Sequence, residues 1–246
     1  MTTITFRSSE LHLVADVAGS RPAPTVLLLH AGGETRQVWS PIAPILVTAG
    51  WRTVAPDLRG HGSSGRAAIY RLDDFIDDAA RMADVLCDRP LVIVGSSIGG
   101  AVGLLLAGEG KARIDGLVLL DVPTCPAPEI ARRERAKVRA AHSQGVAAVV
   151  SVDSAFLDGP FVDDVLNEAD RWRQAARRVW LPTLLIRGRR SSAVGPDELS
   201  KLAEDIPHAE VISVDAGHLV ARDQPDHVAQ LLITFLRQFR AQSAGD

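Results

Sequence analysis

Short apolar runs alternate with longer amphipathic stretches through most of the chain. The runs predict strands at 3–6, 11–17, 25–30, 52–56, 91–94, 117–120, 183–186 and 211–214. Several of them are almost wholly apolar, as expected of parallel strands that helices cover on both faces. The first two strands are expected to pair with each other. The alternation of strands and helices predicts an α/β fold with a mostly parallel, doubly wound sheet and right-handed crossovers.

The alternation stops between residues 123 and 179. Ala- and Arg-rich sequence with helical character fills this stretch, and no convincing strand pattern occurs in it. We therefore predict a helical lid, or cap, at 123–179, inserted into an α/β core formed by 1–122 and 180–246. In the core, helices are expected over Pro41–Ala49, from Leu72 to Leu86, and from Val228 to Phe239.

The first half of the helix from Leu72 to Leu86 carries four aspartates, at positions 73, 74, 77 and 78. They fall outside the apolar positions that define its buried face. We interpret the four as a solvated surface near the positive end of the helix dipole.

Composition narrows the class of protein. The 246 residues are 46% hydrophobic and 23% charged, and the formal net charge is −3. These values are typical of a globular protein and give no electrostatic reason to expect nucleic acid or a membrane as partner. Cys87 and Cys125 are expected to be free thiols in a reducing compartment. The chain shows neither a secretory signal pattern nor an apolar run of membrane-spanning length, so the expected location is the cytoplasm.

One motif carries candidate chemistry. Gly95-Ser96-Ser97-Ile98-Gly99 follows the strand at 91–94 and precedes a helix start rich in small residues. A strand that turns sharply into a helix lifts the middle serine above the end of the sheet, and the glycines make such a turn possible. The pattern predicts that Ser97 is a nucleophile.

A nucleophilic serine needs a base and a binding site for the oxyanion. His218 is the candidate base, because it follows a predicted strand and small residues leave its loop free to fold over the sheet edge. The oxyanion is expected to bind the backbone N–H of Ile98 and that of Gly32 in the loop after the strand at 25–30.

Four ordered motifs resemble those of the α/β-hydrolase family: 28–33, 56–64, 95–99 and 216–218. The likeness runs from about Thr25 to the final helix. It implies the α/β-hydrolase fold, a catalytic triad in the order serine, acid, histidine, and hydrolysis of a small acyl substrate.

The chain departs from the family at the acid. The resemblance puts an aspartate at about position 192, after the strand at 183–186, where the chain has Ser192. Loss of the orienting carboxylate lowers kcat about 10⁴-fold in a well-studied protease. Asp121, at the end of the strand after the nucleophile strand, is the best replacement. Asp215 and Asp197 are weaker candidates for the acid.

The expected activity is cleavage of a carboxylic ester, lactone or thioester through an acyl-enzyme. C–C bond hydrolysis, acyl transfer, and ligand binding without turnover remain as alternatives, the last because of Ser192. Residues that could line the substrate pocket are His30, Gly33, Trp39, Phe156 and Trp172. No cofactor or metal is implied, and the sequence leaves monomer and homodimer open.

Overall fold

The strands form one sheet that follows the predicted α/β pattern. The computed structural model describes residues 1–123, 133, 136–137, 139–140, 143–145, 152–161, 164–165 and 168–240. The strands are β1 Thr2–Ser8, β2 Leu11–Ala18, β3 Thr25–Leu29, β4 Arg52–Pro56, β5 Leu91–Ser96, β6 Gly116–Leu120, β7 Thr183–Gly188 and β8 Ala209–Val214. Their order in the sheet is β1-β2-β4-β3-β5-β6-β7-β8.

The sheet combines an antiparallel edge with a parallel body. β1 pairs with β2, and β2 with β4, in antiparallel orientation. From β4 to β8 every neighbouring pair is parallel. The predicted fold class and the predicted pairing of the first two strands are therefore confirmed.

Helices cover both faces of the sheet. They are α1 Ala43–Thr48, α2 Leu72–Leu86, α3 Ile98–Gly108, α4 Ser154–Asp158, α5 Ala169–Arg177, α6 Pro196–Asp205, α7 Val220–Asp223 and α8 Pro225–Arg240, with a short 3₁₀ helix at Arg36–Trp39. Among these described helices, none is long and apolar enough to cross a membrane.

Two hydrophobic clusters lie on opposite faces of the sheet. In β5, Leu91 and Ile93 join the cluster under α2 and α3, whereas Val92 and Val94 join the cluster under α1 and α8. This two-residue alternation is the geometry of a strand buried on both sides. Each such side chain contributes about 1.5–3 kcal/mol when it is fully buried, so the central strands are held firmly in register.

The described part of 123–179 is helical where it is regular, and it is tied to the core by polar contacts. Tyr70 Oη donates to Asp153 Oδ2 at 2.6 Å. Arg171 in α5 pairs with Glu109, Asp73 and Glu168, and these contacts raise its pKa. The division of the chain into core and cap stays a prediction.

Cys125 lies outside the described residues, and Cys87 is a free thiol.

The interpretation of the α2 aspartates as a solvated surface is wrong for Asp78. Its side chain is buried, and it accepts hydrogen bonds from Arg59 Nε at 2.7 Å, Arg59 Nη2 at 2.8 Å and Ser8 Oγ at 2.6 Å. Asp78 lies three residues after Phe75 and four before Met82, so helical periodicity places it on the buried face. The carboxylate is tolerated there because a buried arginine pairs with it.

We expect Asp78→Ala to lower the free energy of unfolding by about 3 kcal/mol, because the buried charge of Arg59 would keep only the partly exposed Asp74 as an ion-pair partner. Urea denaturation measures this change. Asp77→Ala is the matched control: Asp77 forms an exposed ion pair with Lys111, worth less than about 1 kcal/mol. Equal losses in the two variants would contradict the assignment of Asp78 to a buried ion pair.

Candidate active site

The turn between β5 and α3 holds Ser97 in a strained conformation. Its φ is 48° and its ψ is −113°, in a region that non-glycine residues rarely occupy. The neighbouring glycines make the turn possible: a Cβ on Gly99 would lie 2.4 Å from Leu29 O, and one on Gly95 would lie 2.4 Å from Gly100 Cα. The Ser97 N–H donates to Leu120 O at 3.0 Å, which fixes the turn against β6.

Ser97, His218 and Asp121 form one chain of hydrogen bonds. His218 Nε2 lies 2.9 Å from Ser97 Oγ, and His218 Nδ1 lies 2.7 Å from Asp121 Oδ2. A carboxylate at Nδ1 favours the tautomer with the proton on that nitrogen, which leaves Nε2 free to accept the serine proton. The Asp121 side chain is fully buried and that of His218 is 25% exposed.

Asp121 is held by donors from the end of β7. Gly188 N–H donates to Asp121 Oδ1 at 2.9 Å, and Ser191 Oγ donates to Oδ2. Asp121 has a φ of 49°, so the backbone bends sharply directly after β6. Charge-assisted bonds of this kind are stronger than neutral ones and fix the orientation of the carboxylate.

Ser192, at the position where the family resemblance puts the acid, contacts residues of the 123–179 segment instead. Its backbone oxygen accepts from Arg133 Nη2 at 2.7 Å, and its Oγ lies 3.4 Å from Lys137 Nζ. The sequence reasoning missed its neighbour Ser191 as the partner of Asp121. Nothing in a polar loop distinguishes one serine from the next.

The loop after β8 brings His218 to this edge of the sheet. A Cβ on Gly188 would lie 2.0 Å from Gly217 O, so only glycine lets the two backbones approach this closely. Gly217 N–H donates to Asp223 Oδ2 at 2.8 Å, which anchors the loop to α7. Asp215 points elsewhere, to an exposed ion pair with Arg190.

The predicted oxyanion loop is a tight turn. Glu34 N–H donates to Ala31 O at 3.1 Å, and Gly33 has a φ of 81°, as glycine often does at the third position of a type II turn. Gly32 lies next to the nucleophile turn, since a Cβ on it would be 2.4 Å from Ile98 Cδ1. Ile98 is the first residue of α3, so its N–H has no acceptor within the helix.

His30 supports this turn and is fully buried. Its Nδ1 bonds to Ala31 O at 2.8 Å, and its Nε2 accepts from Leu58 N–H at 2.9 Å. Burial lowers the pKa of His30 to about 4, so the ring is neutral. Because both nitrogens are occupied, His30 connects the loops after β3 and β4. Its place among the pocket-lining residues stays a prediction.

The aromatic candidates for the pocket lie in different places. Phe156 is close to Gly32 and packs against His61, with ring centroids 4.7 Å apart. Trp172 is buried in the core, where its Nε1 donates to Val165 O at 3.1 Å. Trp39 is fully buried in the cluster under α1 and α8. The structure thus gives the two tryptophans packing positions and leaves Phe156 beside the site.

Among the described residues, no group of three or more His, Cys, Asp or Glu side chains is arranged to hold a metal ion.

Comparison with known proteins assigns the family. Residues 24–169 match the family described as alpha/beta hydrolase fold, which is more than half of the chain. The chain therefore belongs to the α/β-hydrolase fold family.

Similar proteins include several hydrolases. Lipase LipV of Mycobacterium tuberculosis is 29% identical over 261 residues, which cover 89% of this chain and 97% of that protein. The enol-lactonase from Burkholderia xenovorans LB400 has a TM-score of 0.75 at 21% identity, covering 95% of this chain and all (100%) of that one. A thermophilic esterase from Thermogutta terrifontis has a TM-score of 0.76 at 23% identity, covering 97% and 99%. At these identities the two solved structures show likeness of fold.

Because Ser191 donates to Asp121, we expect its replacement by alanine to lower activity more than replacement of the adjacent Ser192. Ser191→Ala removes a donor to Asp121, and we expect it to lower kcat/KM for an ester about tenfold or more, because a hydrogen bond to a charged group is worth about 1.5–3 kcal/mol. Ser192→Ala is the matched control and is expected to change kcat/KM less than about twofold. A larger loss in the Ser192 variant would contradict the contact as described.

Proposed function

We propose that the protein is a serine hydrolase that cleaves a carboxylic ester, lactone or thioester through an acyl-enzyme on Ser97. The observation that supports this most strongly is the continuous hydrogen-bonded chain from Asp121 through His218 to Ser97. A hydroxyl becomes a competent nucleophile when a base lies within hydrogen-bond distance and a third group orients the base.

In the proposed cycle, His218 Nε2 takes the proton from Ser97 Oγ as the oxygen attacks the substrate carbonyl. The N–H groups of Gly32 and Ile98 stabilise the oxyanion that forms. His218 then passes the proton to the leaving oxygen or sulfur, and the acyl group stays on Ser97. A water molecule, deprotonated by His218, attacks the acyl-enzyme, and His218 returns the proton to Ser97 Oγ as the acid is released. Asp121 holds the ring orientation and stabilises the imidazolium in both halves of the cycle.

The names of similar proteins agree with this chemistry: a lipase, an esterase and an enol-lactonase all act on acyl–oxygen bonds. We extend the proposal to the arrangement of the chain, with 123–179 as a cap beside the site and Phe156 at the acyl side of Gly32. The proposed enzyme acts in the cytoplasm on a small acyl compound, without a cofactor.

Ser97→Ala should lower the turnover of p-nitrophenyl butyrate at least about 10³-fold, because no other group would form the acyl-enzyme. Ser96→Ala is the matched control, since Ser96 is also buried and its Oγ has no hydrogen-bond partner among the described residues. The control should stay within about threefold of the parent. Undiminished turnover in the Ser97 variant would refute the assignment of the nucleophile.

The same assay separates the enzyme from a ligand-binding relative. Absence of turnover by the parent with a panel of esters, lactones and thioesters would favour a protein that binds ligand without cleaving it.

Asp121→Asn tests the acid. We expect kcat to fall about 10⁴-fold, because the amide would stabilise the wrong tautomer of His218 and would not offset the imidazolium charge. Asp215 is an exposed aspartate in the loop after β8, which also carries His218, and Asp215→Asn should leave kcat nearly unchanged. If the Asp121 variant keeps activity within threefold of the parent, the acid lies elsewhere.

A further inference from the structure

The space beside Gly32 is bounded by two apolar side chains. A Cβ built on Gly32 would lie 2.4 Å from Ile98 Cδ1 and 3.9 Å from Phe156 Cε1. The N–H groups of Gly32 and Ile98 are the proposed oxyanion donors, so the oxygen of a bound acyl group would lie about 3 Å from both nitrogens. Phe156 therefore lies beside the place where the acyl chain of a substrate begins.

The Phe156 ring is fixed by a cluster of aromatic side chains. Only 4% of Phe156 is exposed. Its ring centroid lies 4.7 Å from that of His61, 5.1 Å from Phe161, and 5.8 Å from both Tyr70 and Phe75. Tilted and edge-to-face pairs at these distances are favourable, and close packing leaves a buried ring little room to move. The cluster thus holds Phe156 next to Gly32.

The backbone that carries Phe156 is also anchored to the core. Asp153, the residue before α4, donates its N–H to Gly60 O at 2.8 Å. Its Oδ2 accepts from Tyr70 Oη at 2.6 Å, and its Oδ1 accepts from Ala155 N–H at 3.1 Å at the start of the helix. Both the start of α4 and the ring that follows it are therefore positioned by the core.

We propose that Phe156 is a specificity-determining residue that limits the acyl chain of the substrate to a few carbons. This role rests on the proposed function and narrows its substrate class to short-chain acyl compounds. The aromatic cluster occupies the volume that a longer chain would need beside Gly32. The contacts of Asp153 with Gly60 and Tyr70 keep the helix from yielding to such a chain.

Esters of different acyl length test this role. We expect kcat/KM of the parent to be at least about tenfold lower for p-nitrophenyl octanoate than for p-nitrophenyl butyrate. Phe156→Ala should raise the octanoate-to-butyrate ratio about tenfold or more, because a single methylene in a fitted apolar pocket changes kcat/KM by about 10- to 200-fold.

Phe161→Ala is the matched control. Phe161 is equally buried and packs against Phe75 and Phe156, so its truncation removes the same number of atoms from the same cluster. It should change the octanoate-to-butyrate ratio less than about twofold. An equal rise in both variants would overturn the proposal, because it would show that a loosened cluster admits the chain whichever ring is lost.

Two further results would also overturn the proposal: a parent that cleaves octanoate as well as butyrate, and an unchanged ratio in a folded Phe156 variant. Thermal unfolding of each variant, followed by circular dichroism, identifies loss of fold. If alanine at position 156 prevents folding, Phe156→Leu takes its place, since leucine keeps the site apolar and removes fewer atoms. The leucine variant should raise the ratio about threefold or more.

A second measurement does not require turnover. Calorimetric titration with butanoate and octanoate should show that Phe156→Ala raises the affinity for octanoate relative to butanoate about tenfold. An unchanged ratio of affinities would overturn the proposal. A changed ratio without turnover of any ester by the parent would support the role of Phe156 and reject the proposed function. Ester turnover without a change in either ratio would reject the role of Phe156 alone, so the two failures are distinguishable.

Discussion

The hydrogen bond between Asp121 and His218 is the interaction on which the rest of the candidate site depends. It joins the end of β6 to the loop after β8, two segments 97 residues apart in the chain. The bond requires β6, β7 and β8 to be parallel neighbours, so that their carboxyl ends meet at one edge of the sheet. It also requires a positive φ at Asp121, which turns the carboxylate toward the histidine and away from the continuation of the strand. Ser97, directly after β5, also has a positive φ, and the packed sheet holds its strained conformation in place.

Features with a strong local signal could be predicted from the sequence. β4 and α2 have the predicted bounds, because an apolar run and a regular 3.6-residue pattern define them without reference to the rest of the molecule. The turn at Gly95–Gly99 was recognisable because backbone sterics require its glycines. The parallel sheet could also be predicted, since strands that alternate with helices leave few topologies open.

Features that depend on a partner distant in the sequence could not be predicted. Asp78 looked like one of several surface aspartates, and only the position of Arg59 makes it a buried ion pair. His30 looked like a residue that could face substrate, and only the Leu58 N–H shows that its second nitrogen is occupied. Glu34 gave no sequence signal, since a glutamate after two glycines is ordinary loop sequence, yet its side chain is buried.

The position of the acid follows from the register between β6 and β7. Leu120 lies opposite Ile186, so the residues just after β6 and those at the end of β7 lie at the same edge of the sheet. The loop after β7 here supplies donors, the N–H of Gly188 and the hydroxyl of Ser191, and both point to the Asp121 carboxylate. An aspartate in that loop would bring a second negative charge toward Asp121, and like charges at such distances oppose each other's ionisation. The arrangement therefore favours a donor at position 191 and no acid at position 192: once the carboxylate comes from β6, the neighbouring loop stabilises it by donating hydrogen bonds.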